Sequence, residues 1–195
     1  MTTRRLVVIE FLSLDGVMQS LGSPDEDTEG GFRHGGWSQP YMDDVLVQSS
    51  FEGLKATDAY LFGRRTYEKF VAYWPTQPDD NPMAARLNAA PKYVATRTLS
   101  SVSWRNAQIL DGDLVPAVHR LKKHGDGAIT VLGSGVLVQD LIANDLVDAY
   151  HLFLHPLLLG TGKRLFRGMD RPRRLRMTAC TPTSTGVLML TYENE

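Results

Sequence analysis

The stretch Tyr60-Leu61-Phe62-Gly63-Arg64-Arg65-Thr66-Tyr67-Glu68 governs how the rest of the chain is read. Large apolar residues, one glycine and then a polar run mark a buried strand that turns at once into a helix. At such a turn the first backbone N–H groups of the helix point outward without intrahelical partners. The helix dipole adds partial positive charge there, and glycine lets an anion approach the backbone closely. Thr130-Val131-Leu132-Gly133-Ser134-Gly135-Val136 repeats the arrangement. Either turn alone is also an ordinary tight connection, but two of them suit a dinucleotide, whose phosphates need separate anchors. Arg64 and Arg65 then favour NADPH over NADH, because a guanidinium beside the adenosine ribose accepts the 2′-phosphate. Ala95-Thr96-Arg97-Thr98 ends another apolar run and would bring a hydroxyl and a third guanidinium to the same edge. A solvated strand-end charge is the alternative for Arg97.

Around these turns, short runs rich in β-branched and aromatic residues at 6–11, 59–62, 92–96, 129–132 and 149–154 predict strands. Tyr67, Phe70, Val71 and Trp74 recur at helical spacing, and Leu114, Ala117, Val118 and Leu121 repeat it behind Asp113 as a cap. Further helices are expected over 42–54 and 136–142, and a β-hairpin over 175–183 and 187–192 around Ser184-Thr185-Gly186. Strands alternating with helices and closed by a hairpin imply the α/β class, with a mixed, mostly parallel sheet flanked by helices. A length of 195 residues suits one sizeable core, so a single domain over 1–195 is expected.

Composition narrows the function. Apolar content is 43% and charged content 22%, and no apolar run approaches the ~20 residues of a membrane span. The N-terminal apolar stretch is too short for a signal-peptide core. A net charge of −1 with mixed signs gives no basic stripe for nucleic acid. The lone Cys180 excludes an internal disulfide and fits a cytosolic protein; its expected role is that of a small buried hydrophobe. His34, His119, His124, His151 and His155 lack metal-site spacing, so no metal is expected.

The segment 19–40 has no periodicity and carries Asp25, Glu26, Asp27, Glu29 and the paired glycines 30–31 and 35–36. It reads as a long loop, either a lid whose Trp37 closes over a ligand or a mobile insertion that Trp37 anchors to the core.

Four motifs in order then carry a resemblance. Phe11-Leu12-Ser13-Leu14-Asp15-Gly16, Gly63-Arg64-Arg65-Thr66-Tyr67-Glu68, Gly133-Ser134-Gly135 and the run from His155-Pro156 through Gly160-Thr161-Gly162-Lys163-Arg164-Leu165-Phe166 resemble stand-alone bacterial proteins related to the reductase domain of the bifunctional riboflavin deaminase-reductase. These belong to the dihydrofolate reductase-like family, and the likeness spans 6–192. It implies a phosphate contact for Thr66, ribose-phosphate proximity for Arg64, a second adenosine-side element in Thr96 and Arg97, and a glycine pair, with Ser134 between, under the nicotinamide and pyrophosphate. It also implies a homodimer. The nearest candidates for the pterin-anchoring carboxylate of true dihydrofolate reductases are Asp43 and Asp44. The zinc site of the deaminase half has no counterpart in a chain with one cysteine.

The expected activity is NADPH-dependent reduction of a small heterocycle, a pyrimidine sugar phosphate as in riboflavin biosynthesis or a pteridine. A dihydrofolate reductase proper and a nucleotide-binding module without activity are the alternatives. Hydride transfer asks of the protein mainly orientation, exclusion of water and a proton source. Asp15 is the candidate polar catalytic group, with an Asp-Gly turn residue as its alternative. Trp37, Lys163 and Arg164 are the candidate substrate contacts; the two cations are otherwise solvated loop charges, and His155 a hydrogen-bonded strand end.

Overall fold

The computed structural model describes residues 3–78 and 80–195. In chain order the elements are β1 (Leu6–Ser13), α1 (Asp44–Lys55), β2 (Thr57–Gly63), α2 (Arg64–Tyr73), α3 (Pro82–Ala89), β3 (Lys92–Ala95), β4 (Ala107–Ile109), α4 (Leu114–Lys122), β5 (Ala128–Leu132), α5 (Gly135–Ala143), β6 (Ala149–His155), β7 (Leu175–Pro182) and β8 (Leu188–Asn194). The strands form one eight-stranded sheet in the order β4-β3-β2-β5-β1-β6-β8-β7. Neighbours from β4 to β6 run parallel, whereas β8 is antiparallel to both β6 and β7. The mixed, mostly parallel sheet with a C-terminal hairpin is therefore as expected.

The sequence of β1, LVVIEFLS, is apolar on both faces because both faces are covered. Leu6, Val8 and Leu12 pack with Ala117 and Val118 of α4 and with Leu137, Val138 and Leu141 of α5. Val7 and Ile9 pack on the other side with Leu46 and Leu54 of α1, Tyr67 of α2 and Leu87 of α3. The α5 connection carries the chain from β5 across β1 to β6, while α1 carries it from β1 across β5 to β2 on the opposite face. Adjacent β1 and β5 thus send the chain to opposite faces, which opens a crevice beyond their C-terminal ends. Open α/β sheets place their ligands at such a switch point.

Two elements are additional to the expected pattern, and three expectations need correction. The three-residue edge strand β4 and the helix α3 were not foreseen. Asp113 occupies the N-cap position of α4 but its side chain makes no capping hydrogen bond. Cys180 is exposed, because β7 is an edge strand that no helix covers and nearly all its residues face solvent. Finally, the helix carrying Tyr67 and Phe70 stops at Tyr73, and Trp74 enters a short 3₁₀ turn with Pro75, which cannot continue the α-helical ladder.

Candidate functional site

At the switch point lies a cleft of about 810 Å³. It is lined by Gly63, Arg64, Arg65, Thr66, Thr96, Arg97, Ser134, Gly135, Lys163 and Arg164, all singled out in the sequence, together with Met18, Gln19, Asp27, Glu29, Lys69, Gln139 and Arg167. Strand ends from most of the parallel sheet therefore converge on one opening. Lys69, unforeseen, had a legible signal, since it follows Arg65 by one helical turn and shares its face.

The two glycine turns form one unit. Ser134 donates its backbone N–H to the Thr66 hydroxyl at 3.0 Å, and Gly63 donates its N–H to the Ser134 hydroxyl at 3.0 Å. Gly133 lies just behind the cleft wall with φ +58, and a β-carbon there would meet the Thr66 hydroxyl at 3.3 Å. The glycine thus answers a left-handed backbone and a close neighbour within the protein. Ser134 shares the left-handed conformation at φ 62. Neither Gly63 nor Ser134 caps its helix with a side chain, so the first-turn N–H groups of α2 and α5 lack side-chain acceptors. Backbone donors of this kind, with the helix dipole behind them, match the needs of phosphate oxygens.

The arginines are engaged. Arg64 pairs along its helix with Glu68 at 2.8 Å, and Arg65 pairs with Glu29 of the loop following β1. Among the described residues Arg97 has no ion-pair partner. The Thr96 hydroxyl accepts the N–H groups of Thr98 and Leu99 at 3.2 and 3.1 Å, which fixes the turn that presents Arg97.

Segment 19–40 is stitched down at both ends of its path. Trp37 is buried with Val17 and Phe32 and donates its indole N–H to the Gln19 carbonyl at 2.7 Å. Trp37 therefore lies outside the cleft lining, in the anchoring position. The acidic part of the loop instead straps the cleft. Lys163 holds Asp27 and Glu29, each at 2.6 Å, and Lys69 donates to the Glu26 carbonyl. The Arg65 and Lys163 contacts hold the Glu29 carboxyl down at about 2. Burial alone would raise Asp27, but the Lys163 ammonium and the Glu29 N–H outweigh it and lower its pKa.

Asp15, the candidate polar catalytic group, does not line the cleft. One carboxylate oxygen accepts the Ser13 hydroxyl at 2.6 Å and the Leu159 N–H at 3.1 Å; the other accepts from Gly160 at 2.9 Å and Arg164 at 3.0 Å. Burial pushes its pKa up, but these four donors prevail and hold it well below the usual carboxylate range. The side chain clamps the loop after β6 onto the turn after β1, the turn role that the Asp-Gly sequence also allowed. Arg164 is tied to the same carboxylate and to the Asp15 carbonyl at 2.8 Å, with its edge still on the cleft.

Asp43 caps α1, accepting from Leu46 N–H at 2.8 Å, and its other oxygen holds the hydroxyl of Ser184 at 2.6 Å. Asp44 is exposed. Neither carboxylate is a buried, unengaged anchor for a pterin.

Sheet order, switch-point cleft and paired helix N-termini together define a protein of the dihydrofolate reductase-like class. Within that class the chain belongs to the RibD C-terminal domain family, a reductase-like family whose model matches residues 4–189. It is 28% identical over 192 residues to the uncharacterized protein YyaP of Bacillus subtilis (strain 168), covering 97% of this chain and 94% of that one. YwjB of the same organism is 25% identical over 123 residues, 63% of this chain and 66% of its own length. Among solved structures, a pyrimidine reductase-like protein of Corynebacterium diphtheriae superposes with a TM-score of 0.64 at 15% identity, covering 98% of this chain and 92% of that one. The dihydrofolate reductase of Enterococcus faecalis, in complex with NADP(H), superposes with a TM-score of 0.62 at 14% identity, covering 98% and 96%. At such identities these structures show the fold. No helix among the described residues is long and apolar enough to cross a membrane.

Proposed function

We propose that the protein is an NADPH-dependent reductase of a small heterocyclic substrate, either a pyrimidine sugar phosphate of the kind met in riboflavin biosynthesis or a pteridine. The observation that carries this reading is the pairing of two uncapped helix N-termini, cross-tied by Thr66 and Ser134, on the wall of one cleft. The α2 and α5 N–H groups would hold the phosphates, and Arg64, Arg65 and Arg97 the 2′-phosphate, with Thr96 beside them. Bound NADPH supplies the hydride; the protein positions it and sheds water with the strap of residues 26–29. Lys163 and Arg164, which also line the cleft, would meet a substrate phosphate. The whole chain acting as one domain, a homodimer in the cytosol, belongs to the same reading, and light scattering tests the dimer.

A dihydrofolate reductase proper is the weaker reading, because Asp43 is spent on capping and Asp44 faces solvent. The deciding experiment is fluorescence titration with NADPH, followed by NADPH oxidation against a panel of pteridines and pyrimidine sugar phosphates. Turnover of a panel member supports the reductase. Tight NADPH binding with no turnover on any member favours a nucleotide-binding module.

A further inference from the structure

Beside the cleft lies a second cavity, of about 330 Å³, between the C-terminal half of α5 and the segment that links β6 to β7. Its volume falls at the lower end of the range for small-molecule pockets. Leu165 and Ile142 form buried parts of its wall, whereas Phe166 and Met169 line it while 37% and 50% exposed. Large apolar side chains that face both a cavity and water gain from an apolar body that covers them.

The walls are fixed from both sides. Arg173 ties the segment to the end of α5, donating to the Ala143 carbonyl at 3.2 Å and pairing with Asp145 at 3.1 Å. One turn earlier on the helix, Gln139 donates its amide N–H groups to the carbonyls of Arg164 and Leu165 at 3.1 and 3.2 Å. A ligand therefore finds the cavity preformed and spends little free energy on ordering it.

Gln139, Asp140 and Arg167 line both this cavity and the cleft, so they form the neck between the two. Arg167 points its Nε at the Gln139 amide oxygen, at 3.5 Å. Among the described residues neither Arg167 nor Asp140 has an ion-pair partner, and the two terminal nitrogens of the guanidinium are free. That guanidinium offers a fork to a carboxylate, and the Asp140 carboxylate accepts from an ammonium. One positive and one negative group share the neck, so an ion of either sign alone is repelled by one of them. A zwitterion satisfies both.

We propose that the side cavity is a second small-molecule site, for an α-amino acid with a large apolar side chain. Its carboxylate meets Arg167, its ammonium meets Asp140, and its side chain lies among Ile142, Phe166 and Met169. None of these residues holds cofactor or substrate in the proposed reductase, so the two readings stand or fall separately.

The test titrates L-phenylalanine and L-tryptophan into the full-length protein without cofactor, with 13C in the methionine methyl groups. Met169 lines the side cavity and Met18 the cleft, so the methyl that moves reports where the probe sits without any variant. The Met169 signal is expected to shift and the Met18 signal to stay. Arg167→Ala should weaken binding of the better probe about tenfold. Phenethylamine and 3-phenylpropionate, which carry one charge each, should bind about tenfold more weakly than phenylalanine. Ala143→Phe, at an exposed lining position, should fill the cavity and abolish binding without lowering the melting temperature. A Met169 signal unmoved at millimolar probe, a shift at Met18 in its place, unchanged affinity in Arg167→Ala, or equal affinity for 3-phenylpropionate and phenylalanine would each overturn the proposal.

Discussion

The backbone N–H of Ser134 donates to the Thr66 hydroxyl at 3.0 Å, joining two helix starts that are 68 residues apart in the chain. Because the oxygen acts as acceptor in that bond, the Thr66 O–H remains available as a donor to a ligand. Thr66→Val removes both functions. It should lower stability by about 1–2 kcal/mol, the cost of a half-buried N–H without a partner, and weaken NADPH binding severalfold. Thr66→Ser should preserve both properties. Denaturant midpoints and NADPH titration check the pair.

Gly133 offers a separate view of the same turn. Alanine there faces φ +58 and a 3.3 Å approach to the Thr66 hydroxyl, so Gly133→Ala should destabilise the protein by about 1 kcal/mol or more. In the double variant with Thr66→Val the two losses should fall short of additivity, since the neighbours share one contact. Strict additivity would mean that the two sites act independently.

The strap responds to charge. Glu29 pairs with both Arg65 and Lys163, so an incoming phosphate competes with it for those cations. Exposed ion pairs each contribute about 0–1 kcal/mol. Glu29→Gln should therefore tighten NADPH binding only a few-fold, most clearly at low ionic strength where screening is least. Hydrogen exchange across 19–40 should rise in the variant and fall on ligand binding. A variant that binds NADPH more weakly would show that the carboxylate assists the ligand instead.

Glu10 gives stability a pH dependence. Burial in the middle of β1 raises its carboxyl to about 8, only partly offset by the Phe11 N–H, and one of its oxygens has no partner. The folded protein holds this proton more tightly than the unfolded chain, so the contribution is complete below the ordinary glutamate pKa and is lost as pH rises through about 8. Glu10→Gln should leave stability near pH 5 little changed and raise it by roughly 2 kcal/mol or more at pH 8.5. Thermal melts across that range measure the difference; parallel curves for the two proteins would show that Glu10 is not the titrating group.

How much of this was legible follows from the range of each interaction. The β1, β2 and β5 strands and the turns at Gly63 and Gly133 stand out because a continuous apolar run followed by glycine is a local pattern. The β4 strand, Ala-Gln-Ile at the sheet edge, is too short to show a period. For α3 the signals are local: Asn81 accepts the N–H groups of Met83 and Ala84, and Pro82 opens the helix. Glu10 was readable as a strand residue, but its carboxylate environment comes from helices far away in sequence.

Site residues divide along the same line. The proposed cofactor contacts Arg64, Arg65, Thr66, Thr96 and Arg97 lie at or just after a strand end, and local pattern brings them to the cleft. The partners Glu29–Lys163 and Asp15–Arg164, separated by 134 and 149 residues, are tertiary facts. So are the aromatic surroundings of His155, whose place as a hydrogen-bonded strand end was readable. Asp15 illustrates the cost: its sequence position fitted a polar catalytic group and a turn residue equally well, and the donors that favour the turn come mostly from residues 159–164.

The most direct test is the difference between NADPH and NADH affinity across Arg64→Ala, Arg65→Ala, Arg97→Ala and their combination, because the 2′-phosphate is the one chemical distinction between the two cofactors. One arginine is expected to dominate, its loss weakening NADPH binding by about 1.5–3 kcal/mol while NADH binding stays nearly unchanged. Losses equal for both cofactors, or no loss in the triple variant, would contradict the assignment of this cleft to NADPH.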